Sequence, residues 1–266
     1  MITVKFRAGI PAFVLGALLL GGCTTGTTRP DEQDSTGSLG QVEQPNEGAG
    51  DIYVNLAVAY MQNGQMDIAL QQARKAIEVD PRSTGAHNAI ALIYARLGEP
   101  GLAERHYRIG IELAPRNPYI HNAYGTFLCQ QRRYEEAEQE FVNALKNPLY
   151  RTPELAYTNA AVCTRQRSPE RSDAYLLKAL QTNPVFPPAL LQMAKLSLTR
   201  RDFESARNYL QRFNAVAPHS AESLWIGIQT ERALGDKDRA ASYQLQLRSG
   251  FPDSPEAQLA RESEGR

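Results

Sequence analysis

Five prolines recur in one phase along the chain, each at the end of a helix-like apolar pattern. The interval from Pro81 to Pro115 is equal to the intervals from Pro184 to Pro218 and from Pro218 to Pro252. The interval from Pro115 to Pro184 is one residue longer than two of these periods, which indicates a single inserted residue. Because proline lacks the N–H that continues a helix, this period predicts a repeated helical unit rather than an irregular globular fold.

Small residues recur with the same period. Two positions of each unit hold them, the first at Ala69, Ala103, Ala137, Ser172, Ala206 and Ala240, the second at Ala76, Gly110, Ala144 and Ala179. Small side chains allow two antiparallel helices to approach closely, and Gly64, Gly98 and Gly235 fall where the helices of a hairpin must turn. An unrelated helical bundle, the alternative, would have to place five prolines in one phase by chance.

This pattern resembles the tetratricopeptide repeat, a helical hairpin with small residues and a proline at fixed positions. Six units fit residues 50–254, beginning near Gly50, Thr84, Pro118, Pro153, Pro187 and Ala221. The resemblance implies an all-α fold, a right-handed superhelix of six hairpins in which each unit buries its apolar face against its neighbours. Residues 255–266 are expected to form a C-terminal cap and tail.

The N-terminal segment predicts export and a lipid anchor. An apolar run over residues 8–20 follows a basic start and is shorter than the roughly 20 residues that span a bilayer, which is typical of a secretory signal peptide. It ends in Leu20-Gly21-Gly22-Cys23, which resembles the bacterial lipobox. The resemblance implies removal of residues 1–22 and acylation of Cys23. The alternative is an ordinary signal peptide with an incidental cysteine.

The residues after Cys23 bear on localisation. In lipoproteins of this class, an aspartate directly after the acylated cysteine implies retention in the inner membrane. This chain has Thr24 at that position, which favours the outer membrane, with the protein facing the periplasm. Residues 23–49 are polar and almost free of aliphatic side chains. Such a segment is expected to be a flexible tether, although a loop packed on the repeats remains the alternative.

Composition and motifs indicate a binding protein rather than an enzyme. Lys plus Arg and Asp plus Glu both number 29, so no basic surface for nucleic acid is predicted. The sequence has no glycine-rich phosphate loop, HExxH or GxSxG motif. His87 and His121 share a repeat position without acids or cysteines at metal-ligand spacing. We therefore predict no catalytic site, metal, cofactor or small-molecule substrate.

Two further cysteines, Cys129 and Cys163, lie in the first helices of adjacent units, one period apart. The inserted residue puts them one repeat position out of phase, but first helices of adjacent units are stacked neighbours. A disulfide is therefore favoured in an oxidising periplasm. The alternative is two buried thiols that act as small hydrophobic side chains.

The first helices of such a superhelix line its concave face, where a protein partner is expected to bind. The residues predicted to face this groove are Val54, Val58 and Met61 in the first unit, Asn88, Leu92 and Arg96 in the second, and Asn122 in the third. An apolar groove suits the apolar face of an amphipathic helix. The alternative is that these residues pack against the tether or the neighbouring helix.

The lipobox, the tether and six repeats together resemble the type IV pilus biogenesis and stability lipoproteins, the pilotins of the PilF/PilW kind. The nearest local likeness is HNAYGTFLCQQRRYEEAEQEF (His121 to Phe141), followed by NPLYRTPELAYTNAAVC (Asn147 to Cys163). The paired cysteines and the irregular third-to-fourth junction match that family. The resemblance implies a partner, the secretin subunit of the type IV pilus, which the protein would help to reach or assemble in the outer membrane.

Two other functions fit the same features. One is a general periplasmic adaptor for peptidoglycan hydrolases, and the other is a component of the outer-membrane β-barrel assembly machinery, which also contains an acylated repeat protein. Repeats and a lipobox alone do not separate these from a pilotin.

Overall fold

A computed structural model of the protein describes residues 48–264. Over this range the chain forms thirteen α-helices and no strand. The predicted signal peptide (1–22), Cys23 and nearly all of the predicted tether (23–49) lie outside the described residues. None of the helices in the described range combines the length and the apolar character that a membrane span requires.

The first twelve helices form six antiparallel hairpins, each made of an A helix and the B helix that follows it. The A helices are α1 (Ala49–Gln62), α3 (Thr84–Arg96), α5 (Pro118–Gln130), α7 (Pro153–Thr164), α9 (Pro187–Thr199) and α11 (Ala221–Leu234). The B helices are α2 (Met66–Val79), α4 (Pro100–Leu113), α6 (Tyr134–Leu145), α8 (Pro169–Thr182), α10 (Phe203–Asn214) and α12 (Lys237–Gly250). The predicted fold class, a superhelix of six tetratricopeptide hairpins, is confirmed.

Local sequence explains where the hairpins begin and turn. The Ser83 hydroxyl accepts a hydrogen bond from the backbone N–H of Ala86, which caps the start of α3. The turns inside hairpins use left-handed backbone at one repeat position, with φ of 77° at Gly64 and Gly98 and 81° at Gly235. Two arginines take up the same conformation at this position, Arg132 and Arg201, each with φ of 62°.

The small residues of the repeat lie where the two helices of a hairpin meet. Ala69, Ala103 and Ala137 are fully buried, and so are Ala76 and Ala144 at the second position. Side chains of this size let the backbones approach closely, which is why the period in small residues specifies the hairpin.

The stacking of the hairpins is asymmetric. The backbone of each A helix packs closely on the A helix of the next hairpin, from α1 through to α11. Within the described residues no two B helices approach as closely, and they meet only through long side chains such as Arg171 of α8 and Glu138 of α6. Because the A helices are closer together than the B helices, the row of hairpins curves with its A helices on the inner, concave side.

A thirteenth helix, α13 (Pro255–Glu264), closes the C-terminal end of the row. It packs on α11 and α12. Ala257 and Ala260 are fully buried in a cluster with Leu224 and Leu247, so α13 covers apolar surface that a seventh hairpin would otherwise cover.

Candidate functional site

The concave face of the first hairpin is apolar and half-buried. Val54 and Val58 lie on α1 at the edge of a core cluster that contains Ala57 and Ile90. Val54 also lies against Gly85 of α3, where a glycine leaves room for the valine methyl groups. These two valines therefore contribute both to the packing of α1 on α3 and to the surface of the groove.

Two of the predicted groove residues are buried instead. Met61 is 6 % exposed and belongs to the core between the first two hairpins. Asn122 is 9 % exposed, and its Oδ1 accepts a hydrogen bond of 3.0 Å from Nδ2 of Asn159 on the next A helix. The prediction that both side chains face a partner was wrong, because repeat position alone does not fix how far each A helix is rotated toward its neighbour.

The second hairpin places polar and apolar groups beside the valines. Leu92 is half-buried and contacts the core on both sides of α3. Arg96 is exposed, and its Nη1 donates a hydrogen bond of 3.1 Å to the backbone carbonyl of Met61, which ties α3 to the end of α1. The Oδ1 atom of Asn88 is buried and accepts no hydrogen bond from any described residue.

The later hairpins present a polar concave face. Lys195 on α9 donates a hydrogen bond of 2.6 Å from Nζ to Oε1 of Glu222 on α11. Arg165 on α7 donates one of 3.2 Å to Oε1 of Gln192 on α9. These side chains link successive A helices, and each satisfies the hydrogen-bonding group of its partner.

Sequence reasoning missed a second apolar surface on α1. Ile52 is 52 % exposed and Leu56 is 40 % exposed. In the next hairpin the residues at the same repeat positions, Ala86 and Ile90, are buried against the preceding B helix. Within the described residues no hairpin precedes α1, so these aliphatic side chains stay open, on the side of α1 opposite to Val54 and Val58. The sequence did contain a signal for this surface. The first unit has large aliphatic residues at positions that, in the next unit, pack against the preceding hairpin.

The A helices of the third and fourth hairpins are joined covalently. A disulfide links Cys129 of α5 to Cys163 of α7, with the Cα atoms 5.7 Å apart. The bond crosses the junction that contains the inserted residue, where the repeat period is one residue longer.

The histidines pack between helices. Nδ1 of His87 lies 3.1 Å from Nδ1 of His106, and Nδ1 of His121 lies 2.5 Å from Oε2 of Glu140. Burial lowers the pKa of His121, but its hydrogen bonds to Glu140 and to the Pro115 carbonyl outweigh burial and raise the pKa overall. In residues 48–264 no cluster of three or more His, Cys, Asp or Glu side chains forms a potential metal site.

The chain was compared with known protein families and sequences. The family model described as tetratricopeptide repeat matches residues 54–118, 89–152 and 191–258. The type IV pilus assembly protein PilF of Pseudomonas aeruginosa is 34 % identical over 247 residues, which cover 92 % of this chain and 94 % of that protein. An uncharacterised protein of Haemophilus influenzae is 32 % identical over 122 residues, which are 46 % of this chain and 67 % of that protein.

Two solved structures share both fold and sequence with this chain. That of Pseudomonas aeruginosa PilF has a TM-score of 0.69 and 35 % identity, covering 80 % of this chain and 97 % of the other. That of PilW, described as a widely conserved type IV pilus biogenesis factor, has a TM-score of 0.69 and 30 % identity, covering 79 % and 97 %.

Proposed function

Because this chain belongs to the tetratricopeptide repeat family and, within it, to the PilF/PilW type IV pilus biogenesis factors, we propose that it is a pilotin. In this role it is an outer-membrane lipoprotein that binds the secretin subunit of the type IV pilus and promotes its localisation or assembly. The observation that carries the proposal is the 34 % identity to PilF over 92 % of this chain.

The groove of the first two hairpins supports a helical ligand. Val54, Val58 and Leu92 are half-buried, and each retains some accessible apolar surface. An amphipathic helix of the secretin subunit laid along α1 would bury that surface.

The membrane part of the proposal rests on the sequence around Cys23, which lies outside the described residues. Each acyl methylene that enters the bilayer contributes roughly 0.8 kcal/mol, so two or three acyl chains hold a protein nearly irreversibly. Metabolic labelling with radioactive palmitate tests this step. Label is expected in the wild type and not in Cys23→Ala, which should also leave the outer-membrane fraction.

Deletion of the gene tests the function as a whole. A pilotin's loss should abolish twitching motility and secretin multimers while leaving other outer-membrane proteins at normal levels. A general fall in outer-membrane β-barrels would instead indicate the barrel assembly machinery. Co-purification of peptidoglycan hydrolases in place of secretin would indicate an adaptor for those enzymes.

A charge placed in the groove tests the binding surface. Val58→Glu is expected to abolish co-purification of secretin, because a carboxylate would be buried against the apolar face of the ligand. Leu102→Glu, at an aliphatic residue of α4 that is 41 % exposed and lies away from the groove, is the control and should bind normally. Circular dichroism checks that both variants fold, and undiminished secretin binding by a folded Val58→Glu protein would contradict this site.

A further inference from the structure

A cavity of about 670 Å³ lies at the end of the third hairpin, between the loops that join it to the second and fourth hairpins. Pro115 and Arg116 line it from the loop between α4 and α5, and Lys146, Pro148 and Leu149 line it from the loop between α6 and α7. We call these five residues and the space between them the junction cavity. It is formed by loops that join hairpins and is separate from the concave groove.

The inserted residue of the repeat pattern falls in the second of these loops, and side-chain hydrogen bonds hold the loop in place. Nδ2 of Asn147 donates a hydrogen bond of 2.8 Å to the carbonyl of Arg116 and thereby joins the two loops. Its Oδ1 accepts one of 2.9 Å from the backbone N–H of Leu149. This turn presents Leu149 to solvent with 83 % of its surface exposed.

The junction cavity combines apolar walls with unneutralised positive charge. Neither Arg116 nor Lys146 forms an ion pair with any described residue, and Nζ of Lys146 donates only to the neutral Oδ1 of Asn143, at 3.0 Å. His121, which also lines the cavity, is paired with Glu140, so this pair adds no net positive charge. Two free cations therefore stand beside the exposed leucine and two prolines.

We propose that the junction cavity binds an acidic segment of a partner polypeptide. One aliphatic side chain of that segment packs against Pro115, Pro148 and Leu149, and its carboxylates lie beside Arg116 and Lys146. Charge complementarity selects this occupant, because acidic groups would neutralise the two cations that the fold leaves unpaired. The site is additional to the proposed secretin groove, so both can be occupied at once.

The probe is a fluorescein-labelled hexapeptide with two leucines flanked by four aspartates and both ends blocked. Its binding to the full chain in detergent is followed by fluorescence anisotropy. Two further peptides, with serine for leucine or asparagine for aspartate, separate the apolar and the charged contributions. Both are expected to bind more weakly than the probe, and equal binding by either would overturn the proposal.

Two variants and their matched controls locate the binding. The double variant Arg116→Glu with Lys146→Glu is expected to weaken probe binding by about tenfold or more, because two attractions become repulsions. Arg82→Glu is its control, since Arg82 is exposed at the same position of the preceding repeat. Leu149→Gln should weaken binding severalfold, whereas Val185→Gln removes an exposed aliphatic side chain from the equivalent loop between α8 and α9 and should have no effect.

Nuclear magnetic resonance provides an independent readout. Amide shifts on addition of the probe are expected to concentrate at residues 115–117 and 146–149. Shifts confined to the concave face, binding unchanged in the Arg116 and Lys146 double variant, or no binding by the wild type would each overturn the proposal. Because secretin co-purification is measured separately, failure of the junction cavity leaves the proposed function untouched.

Discussion

Cys129 and Cys163 connect the third and fourth hairpins by a disulfide whose Cα atoms lie 5.7 Å apart. They are 34 residues apart in sequence, so the bond closes a loop of one repeat length. It spans the junction where one inserted residue lengthens the repeat period and ties α5 to α7 covalently.

Removing this bond should destabilise the protein. A closed loop of 34 residues restricts the unfolded chain enough to contribute about 3–4 kcal/mol in the chain-entropy model. Replacing both cysteines by alanine is expected to lower the free energy of unfolding in urea by about that amount. Reduction of the wild type should have a similar effect and should not change the double variant. Equal urea midpoints for oxidised and reduced wild type would contradict the prediction.

Gly125 is expected to tolerate no larger residue. A methyl group there would lie 2.9 Å from ring carbons of Phe141 and 3.1 Å from the carbonyl oxygen of Ala137. Gly125→Ala should therefore lower the free energy of unfolding by about 1–2 kcal/mol, since overpacking exceeds the gain in helix propensity. Gly101→Ala is the control, because no atom lies within 4 Å of its added methyl. That variant should be slightly more stable than the wild type.

Adding Phe141→Leu tests the cause of this loss. At the repeat positions of Gly125 and Phe141, the later hairpins have an alanine and a leucine. The fourth hairpin has Ala160 and Leu176, and the fifth has Ala194 and Leu210. Gly125→Ala should therefore cost less in the Phe141→Leu background than in the wild type. The same cost in both backgrounds would show that the Phe141 ring is not responsible.

The fifth and sixth hairpins are linked by a buried ion pair. Glu231 is 2 % exposed, and Arg207 donates to its carboxylate from Nε and Nη2. Arg207→Met should lower the free energy of unfolding by about 3 kcal/mol, because it leaves a buried carboxylate without its partner. Adding Glu231→Leu should recover much of that loss, since an apolar pair avoids the unpaired charge. A double variant as unstable as Arg207→Met would contradict this account.

The period of prolines and small residues was enough to predict the fold, because both act locally. A proline interrupts a helix at any position beyond its first turn, and an alanine such as Ala69 or Ala103 leaves room for a close helix crossing. Helix α3 begins at Thr84 and α7 at Pro153, which are the positions where the sequence places the second and fourth units. Cys129 and Cys163 likewise lie near each other because adjacent A helices stack.

The surface residues were harder to predict because their exposure depends on neighbours. Met61 is buried since α1 rotates it toward α2 and α3, and Ile52 is exposed since no described hairpin precedes α1. The interval from Pro115 to Pro184 indicated an insertion, but the position of Leu149 depends on two hydrogen bonds made by Asn147. Such side-chain contacts follow from the three-dimensional arrangement and leave no periodic signal.

The pair His87 and His106 should make the protein less stable in mild acid. Burial, the neighbouring His87 and the nearby Arg105 and Arg74 lower the pKa of His106 to about 4, below the value near 6.5 expected in the unfolded chain. The unfolded state therefore binds more protons between these values, and stability should fall as the pH drops from about 6.5 toward 4. His106→Gln should flatten this dependence, as measured by urea unfolding at pH 7.5, 6 and 5. His121→Gln is the contrasting variant. Because the pKa of His121 is raised in the folded protein, protonated His121 contributes stability that is complete below pH 6.5 and is lost as the pH rises. This variant should therefore change the pH dependence of stability above pH 6.5. If His106→Gln kept the wild-type loss of stability between pH 6 and 5, His106 would not be its source.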